Sequence, residues 1–156
     1  MKSYRKCAGV IVFNDTKKVL VCARNDNQSF NWQFPQGGIE FNENPLDAAL
    51  RELREETSIV SVRPVKTLLS PLRYDFPVDV LQKPIAQKYI GQEVYWSLLY
   101  FFGQDDEINL STNEPEFKAY EWVNPQEAVS RIIDFKKEVY QQAIQKLAPC
   151  IDEYKQ

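Results

Sequence analysis

The segment from Asn44 to Thr57 carries the strongest structural signal in the sequence, because a helix start and an apolar stripe coincide there. Asn44 suits the N-cap of a helix, and Pro45 suits its first turn. The apolar residues that recur at helical spacing are Leu46, Ala49, Leu50 and Leu53. This pattern predicts one amphipathic helix over residues 44–57.

Three glutamates, Glu52, Glu55 and Glu56, lie opposite the apolar stripe on the predicted helix. Each like-charged pair three or four residues apart costs an isolated helix roughly 0.2–0.5 kcal/mol. A solvated acidic face, helped by Arg51 four residues before Glu55, is one explanation. A divalent-cation site is the other, because Mg²⁺ and Mn²⁺ prefer oxygen ligands. These residues alone leave both explanations open.

The other segments predict an α/β fold with a mixed sheet and helices on both faces. The predicted strands are residues 7–13, 18–24, 59–69, 93–103 and 118–123, the first two as a hairpin. Residues 25–38 and the proline-containing residues 70–92 are predicted to be irregular. A second helix is predicted to start at Asn124, with Glu127 completing a capping box, and a third to span residues 135–148.

Composition excludes several classes of site. The chain has 156 residues, which fits a single domain over residues 1–156, and it has no histidine. Histidine triads, phosphohistidine chemistry and histidine-ligated zinc are therefore excluded. The net charge of −3 and the pI of about 5.1 disfavour a large nucleic-acid-binding surface, although contact with a terminal phosphate group is compatible with them.

The sequence predicts a cytoplasmic protein, with a eukaryotic organelle left open. Its three cysteines, Cys7, Cys22 and Cys150, are too widely spaced to form a disulfide framework or a metal site, which favours a reducing compartment. No apolar run approaches the roughly 20 residues of a membrane-spanning helix, so we expect no membrane partner. The N-terminus lacks the pattern of a signal peptide.

The spacing of residues around the glutamates is distinctive. Gly37 is followed six residues later by Glu43, and Arg51 comes eight residues after Glu43. This constellation resembles the Nudix box, G-x5-E-x7-REUxEExGU, in which U is aliphatic. The matching positions are Gly37, Glu43, Arg51, Glu52, Leu53, Glu55, Glu56 and Ile59. Ser58 replaces the last glycine, at a position where helices often end in a left-handed residue, and keeping that geometry would cost about 1–2 kcal/mol.

The resemblance implies a Nudix-type α/β/α sandwich with a central mixed sheet and a catalytic loop-helix-loop. It also implies two or more Mg²⁺ or Mn²⁺ ions and hydrolysis of a nucleoside diphosphate linked to another group. The implied metal ligands are Glu52, Glu55 and Glu56, together with the backbone at Gly37, and the resemblance makes these glutamates candidates for the base. The implied structural residues of the motif are Glu43, Arg51 and Gly38.

Further segments resemble the branch of bacterial RNA 5′ pyrophosphohydrolases and plant-type asymmetrical diadenosine tetraphosphate hydrolases. These are residues 32–40, 72–77, 90–92, 107–117 and 135–140. The resemblance implies Glu116 as another metal ligand or base. It implies phosphate contacts from Arg5, Arg24, Lys136 and Tyr140, and a base framed by Tyr74, Ile133 and Phe135. Without the resemblance, Tyr74 and Phe135 would be core aromatics, and Lys136 would lie on a solvated helix face.

The expected activity is metal-dependent hydrolysis of 5′ polyphosphate chains, on the triphosphate end of RNA or on dinucleoside polyphosphates such as diadenosine tetraphosphate. Two alternatives are a house-cleaning pyrophosphatase for nucleoside triphosphates and a non-catalytic nucleotide-binding domain. Lys6, Cys7 and Pro71 depart from the branch's usual residues, so the substrate preference stays open. A monomer or a small homo-oligomer is expected.

Overall fold

The computed structural model describes residues 3–25 and 31–155 of the chain. Its strands within these residues are β1 (Ser3–Phe13), β2 (Val19–Arg24), β3 (Trp32–Gln33), β4 (Gln36–Gly38), β5 (Val62–Thr67), β6 (Leu72–Asp75), β7 (Tyr89–Phe101) and β8 (Phe117–Val123). Its α-helices are α1 (Pro45–Thr57), α2 (Pro125–Ser130) and α3 (Asp134–Glu153).

The strands form one mixed sheet around β1. This strand pairs in parallel with β7 along its length and is antiparallel to β2 and β4. Beyond β7 the sheet continues with β5 and β6, and beyond β2 it continues with β3 and β8, all of them antiparallel to their neighbours. The predicted mixed sheet and the hairpin of the first two strands are confirmed.

Both faces of the sheet are buried, because consecutive residues of β1 belong to different hydrophobic clusters. Ile11 and Phe13 pack with the residues of α2 and α3 on one face, and Val10 and Val12 pack with α1 on the other. All four side chains are almost completely buried. An apolar run with both faces covered is typical of the central strand of a layered α/β fold. The predicted helix–sheet–helix layering is therefore confirmed.

Helix α1 has the predicted limits. The Asn44 side chain accepts a hydrogen bond from the backbone N–H of Asp47 at 2.8 Å, as expected of an N-cap. At the other end, Ser58 adopts the left-handed conformation, with φ 68° and ψ 7°, and its N–H donates to the carbonyl of Arg54. The serine therefore keeps the geometry for which the motif normally has a glycine.

Two segments predicted to be irregular contain strands. Of residues 25–38, residues 26–30 lie outside the described part of the chain, and the rest includes β3 and β4. Residues 70–92 contain β6, two 3₁₀ turns (Val80–Gln82 and Pro84–Gln87) and the start of β7. Strands β3, β4 and β6 have only two to four residues. That is too short for an alternation of apolar and polar residues to be recognised, and the prolines and glycines nearby indicated irregular structure instead.

The ends of the chain's last helices also differ from the prediction. Asn124 precedes α2 but makes no side-chain cap hydrogen bond, so the predicted capping box is not formed. Helix α3 begins one residue earlier and ends five residues later than predicted, and Pro149 lies inside it. Among the described residues, no helix is long and apolar enough to cross a membrane.

Candidate active site

Strand β4 brings two glycines against the glutamate helix. Gly37 pairs with Ala8 and Gly38 with Cys7 at the centre of the sheet. A Cβ atom added to Gly37 would lie 2.1 Å from Cδ of Glu52, which is far inside van der Waals contact. The absence of a side chain at Gly37 therefore allows the Glu52 carboxylate to lie directly against the β4 backbone.

Arg51 joins this loop to α1. Its Nε and Nη2 atoms donate to the two carboxylate oxygens of Glu43 at 2.7 and 2.8 Å, and Nη2 also donates to the carbonyl of Gly38 at 2.8 Å. The Arg51 guanidinium and the N–H of Glu40 lower the pKa of Glu43 to about 2. The Glu43 carboxylate in turn raises the pKa of Arg51. The bidentate ion pair fixes the loop before α1 to the middle of the helix.

The remaining guanidinium nitrogen of Arg51 offsets part of the repulsion between the glutamates. Its Nη1 atom lies 2.8 Å from Oε1 of Glu52 and 3.3 Å from Oε2 of Glu55. The Glu55 side chain is about half exposed, whereas that of Glu52 is mostly buried. The three predicted glutamates therefore do not form a uniform acidic face, since Glu55 is exposed, Glu52 is mostly buried and Glu56 is buried.

Glu56 is the most buried of the three, although the sequence placed it opposite the apolar stripe of α1. Only 4% of the residue is exposed, and its Oε2 atom has no hydrogen-bond partner. Burial, a hydrogen bond to Glu52 and the proximity of the Glu116 carboxylate raise the pKa of Glu56 to about 10. The Glu56 carboxyl group therefore carries a proton at neutral pH when no cation is bound.

A cavity of about 480 Å³ opens above this carboxyl group. Its acidic wall is formed by Glu52, Glu56 and Glu116, beside Gly37 and Gly38. Its basic residues are Arg5, Arg24, Lys83 and Lys136. Its aromatic and aliphatic residues include Tyr74, Phe76, Ile85, Ile133 and Phe135. Acidic and basic groups therefore face the same space, beside an apolar surface.

The oxygen donors of the acidic wall fit a hard divalent cation. The unpartnered, buried Oε2 atom of Glu56 is the clearest indication, since such an atom is costly without a proton or a cation beside it. Within residues 3–25 and 31–155, no three acidic or thiol side chains converge closely enough to enclose an ion. Glu55 does not line the cavity.

Three of the residues expected to frame a base or bind phosphate form one group in the cavity. The rings of Tyr74 and Phe135 lie 5.7 Å apart at a tilt of 57°. The Nζ atom of Lys136 lies 5.9 Å from the centre of the Tyr74 ring and 5.8 Å from that of Phe135. Tyr74 is largely buried and belongs to the core, while it also lines the cavity. It therefore occupies both of the places considered for it, in the core and at the edge of a base-binding site.

Tyr140 lies elsewhere. It is completely buried, its ring stacks on Phe34 at 4.9 Å, and its hydroxyl accepts a hydrogen bond from the Phe34 N–H at 3.3 Å. It does not line the cavity. Its predicted contact with phosphate is therefore not supported by its position, and packing against the core explains why an aromatic residue is found there.

A polar network at the cavity was not predicted from the sequence. Gln92 accepts hydrogen bonds from the Tyr74 hydroxyl and, at 2.9 Å, from the amide of Gln36. The segment 70–92 also contributes Asp79 and Lys83 to the wall. Gln36 and Gln92 lie in segments with a recognisable resemblance, but their side chains received no role. Lys83 had no signal, because it lies in a segment predicted only as irregular.

Comparison with known proteins identifies the family. The NUDIX domain model matches residues 3–143 of the chain. A protein named RNA pyrophosphohydrolase from Pelagibacter ubique (strain HTCC1062) is 40% identical over 143 residues, covering 92% of this chain and 90% of the relative. Another of that name from Roseobacter denitrificans (strain ATCC 33942 / OCh 114) is 42% identical over 139 residues, covering 88% and 87%.

Solved structures share the fold. The E. coli dihydroneopterin triphosphate pyrophosphohydrolase aligns with a TM-score of 0.70 and 23% identity, covering 93% of this chain and 97% of that one. A C. elegans Ap4A hydrolase binary complex aligns with a TM-score of 0.63 and 17% identity, covering 92% and 98%. At these identities the similarity concerns the fold alone. Together, the family model and the relatives at about 40% identity show that the chain belongs to the Nudix family and is a Nudix hydrolase.

Proposed function

We propose that this protein hydrolyses the 5′ triphosphate end of RNA to a 5′ monophosphate end. The observation that carries the proposal is the 480 Å³ cavity, in which the carboxyl groups of the acidic wall and four cationic side chains share one space with aromatic rings. An anionic phosphate chain next to a nucleobase has the matching chemistry. The names of the relatives at about 40% identity favour RNA as the bearer of that chain.

In this proposal, the acidic wall holds Mg²⁺ or Mn²⁺. Glu52, Glu56 and Glu116 supply carboxylate oxygens, the backbone at Gly37 lies beside them, and Glu55 joins from the exposed side of α1. Bound divalent cations neutralise phosphate oxygens and increase the acidity of water, which makes attack on a phosphoanhydride feasible near neutral pH. A carboxylate of this wall accepts the proton of the attacking water.

The basic and aromatic residues hold the substrate. Arg5, Arg24 and Lys136 are proposed to bind phosphate oxygens, since charge-assisted hydrogen bonds to phosphate are strong. Tyr74 and Phe135 are proposed to contact the nucleobase, with Ile133 at its edge. Water adds to a phosphorus atom, the phosphoanhydride bond breaks, and pyrophosphate leaves; release of two phosphates in succession would give the same RNA end.

We also propose that the protein acts in the cytoplasm, where RNA 5′ ends are available. Its cysteines Cys7, Cys22 and Cys150 are free thiols, which fits a reducing compartment. The small cavity and the negative net charge fit a contact with only the first nucleotides of RNA.

A substrate panel tests the proposal. Purified protein is incubated with 5′-triphosphorylated RNA, diadenosine tetraphosphate and the four nucleoside triphosphates, each with Mg²⁺ or Mn²⁺ and with or without chelator. We expect triphosphorylated RNA to have the highest kcat/KM and the chelator to abolish turnover. Glu56→Gln should lower turnover by at least about 100-fold, as is usual for loss of a central group in metal-assisted hydrolysis. Glu153→Gln, an exposed change far along α3, is the matched control.

Dinucleoside polyphosphate hydrolysis is the second candidate. The observation in its favour is that the cavity holds phosphate-binding and base-contacting groups on a chain with a net charge of −3, which suits a small substrate. Asymmetric cleavage of diadenosine tetraphosphate to ATP and AMP, with little turnover of RNA, would favour it. Turnover of mononucleotides alone would contradict both candidates.

A further inference from the structure

The end of α1 is joined to a turn that precedes Glu116 in the chain. This turn, residues 105–109, consists of the 3₁₀ segment Asp105–Glu107 and the two residues after it. The Ser58 hydroxyl donates to the carbonyl of Asn109 at 3.0 Å. In return, the N–H of Asn109 donates to the carbonyl of Thr57 at 2.9 Å. The residue that departs from the Nudix motif therefore makes a contact that a glycine has no atoms to make.

Glu107 makes the second connection between the two segments. Its Oε2 atom accepts hydrogen bonds from the N–H groups of Val60 and Ser61, at 2.7 and 2.8 Å. Although burial raises the pKa of Glu107, these hydrogen bonds outweigh that effect and leave the pKa below its ordinary value. The carboxylate is thus ionised at neutral pH and binds the backbone just beyond the helix end.

The 105–109 turn is also attached to the strand that follows Glu116. The indole N–H of Trp122 in β8 donates to Asp105 at 3.1 Å, and the Trp122 ring stacks on Phe101 at 5.6 Å. Glu116 immediately precedes β8, and its carbonyl accepts a hydrogen bond from the N–H of Asn25 at 2.8 Å. The turn therefore contacts both the end of α1, which carries Glu52 and Glu56, and β8, which starts directly after Glu116.

We propose that Ser58 and Glu107 are positioning residues, which hold the last turn of α1 against the 105–109 turn and so set the separation of the Glu56 and Glu116 carboxyl groups across the cavity. This inference rests on the proposed function only in assigning those two carboxyl groups to one cation site. Ser58 lies two residues after Glu56, so a shift of the helix end is transmitted to Glu56 directly. Residues that orient metal ligands commonly contribute about 10- to 100-fold to metal affinity.

Two substitutions at Ser58 separate positioning from stability. Ser58→Gly and Ser58→Ala both remove the hydroxyl, but alanine keeps the strain that serine already bears in the left-handed conformation, whereas glycine relieves it. We expect both variants to bind Mn²⁺ about tenfold more weakly than wild type, as measured by calorimetry. The melting temperature should be higher for Ser58→Gly than for Ser58→Ala, because only glycine relieves the strain. The Mn²⁺ affinity would then depend on the hydroxyl, which both variants lack, whereas the melting temperatures of the two variants would differ through backbone strain. If the serine acted only on stability, the variant with the higher melting temperature would keep the wild-type affinity.

Glu107→Gln and a control variant extend the test. Glu107→Gln weakens the acceptor for Val60 and Ser61 and should lower Mn²⁺ affinity and kcat while leaving KM nearly unchanged. The matched control is Asp106→Asn, an exposed residue of the same turn, which should behave as wild type. Unchanged Mn²⁺ affinity in both Ser58→Gly and Glu107→Gln would overturn the inference, even if wild type hydrolyses triphosphorylated RNA as proposed.

A double-mutant cycle tests whether Ser58 affects Mn²⁺ affinity through the position of Glu116. If Ser58 acts through the separation of the two carboxyl groups, Ser58→Gly should cost much less affinity in a Glu116→Gln background than in wild type. Equal losses in the two backgrounds would show that the hydroxyl does not act through Glu116 and would overturn the proposed path. Because Mn²⁺ binding is measured without substrate, this result is independent of which polyphosphate the enzyme hydrolyses.

Discussion

Glu56 and Glu52 share a hydrogen bond at the floor of the cavity, and the second oxygen of the buried Glu56 carboxyl has no partner. The two side chains are one helical turn apart, so the sequence alone places them on one face. Their burial makes two adjacent charges unfavourable, and a proton on Glu56 relieves this in the metal-free protein. A cation in the site would replace that proton.

Cation binding should therefore release a proton. At pH 7 to 8, the pKa of about 10 keeps metal-free Glu56 protonated, whereas a ligating carboxylate must be ionised. Calorimetric titration of Mg²⁺ or Mn²⁺ in two buffers of different ionisation enthalpy should give about one proton released per site. Glu56→Gln should abolish this release. Heats that do not depend on the buffer would contradict the assignment of Glu56 as a ligand that loses a proton.

The raised pKa of Glu56 also predicts how the stability of the metal-free protein depends on pH. The folded pKa of Glu56 is raised above the ordinary 4.5, so the folded state binds more protons than the unfolded state between about pH 4.5 and pH 10. The contribution of Glu56 to the free energy of unfolding therefore falls as the pH rises through this window. Denaturant unfolding in chelator should show Glu56→Gln gaining stability relative to wild type from pH 5 to pH 9. A constant difference would contradict this.

Glu43 should make the stability of the protein depend on pH in the opposite direction to Glu56. Its folded pKa is lowered to about 2, so the ion pair with Arg51 stabilises the protein above pH 4.5, and this stabilisation is lost as the pH falls from about 4.5 to about 2. Glu43→Gln should lower the melting temperature at pH 7, and the difference from wild type should vanish near pH 2. Glu114→Gln, an exposed glutamate outside the ion pair, provides the comparison.

The two glycines of β4 should differ in their sensitivity to a methyl group. A Cβ on Gly37 would lie 2.1 Å from the Glu52 carboxyl carbon, whereas a Cβ on Gly38 would meet only the far end of Arg5, 2.7 Å away at Nη2. Gly37→Ala should reduce turnover by about 100-fold or more by displacing Glu52, the proposed metal ligand. Gly38→Ala should cost less than about tenfold, because the Arg5 guanidinium can move aside. Equal activities of the two variants would contradict the close approach of Glu52 to β4.

Lys83 should contribute to substrate binding without taking part in the chemical step. It lines the cavity from the segment between β6 and β7, and a lysine at such a position holds an anionic chain in the ground state and the transition state alike. Lys83→Ala should raise KM about threefold to tenfold, with kcat nearly unchanged and a weaker dependence of KM on salt. Lys88→Ala, an exposed residue outside the cavity, is the control.

The sequence predicted α1 almost to the residue, because a proline start, an asparagine cap and an apolar stripe agree there. The long strands β1 and β7 were predicted from their mostly apolar parts, over residues 7–13 and 93–103, but each begins four residues earlier in the structure, at Ser3 and Tyr89. Short strands were missed. β4 and β6 owe their existence to pairing with β1 and β7, which is a tertiary effect that local patterns do not contain.

The candidate site was predictable where spacing and chemistry coincide. The carboxylates of α1 and the ion pair of Glu43 with Arg51 follow from the motif. The individual environments of the carboxylates did not follow from it, because burial depends on neighbours distant in sequence. Glu56 is buried beside Glu116, 60 residues further along the chain, whereas Glu55 faces solvent. Tyr140 was misassigned for the same reason, since an aromatic residue that is completely buried in the core resembles one at its edge.

Turnover of 5′-triphosphorylated RNA tests the central claim most directly. With Mg²⁺, wild-type protein should convert the triphosphate end to a monophosphate end and release pyrophosphate or two phosphates. Glu56→Gln should lose at least about 100-fold in kcat/KM while remaining folded. An active Glu56→Gln variant, or a wild-type protein that hydrolyses mononucleotides but leaves the RNA end intact, would contradict the account.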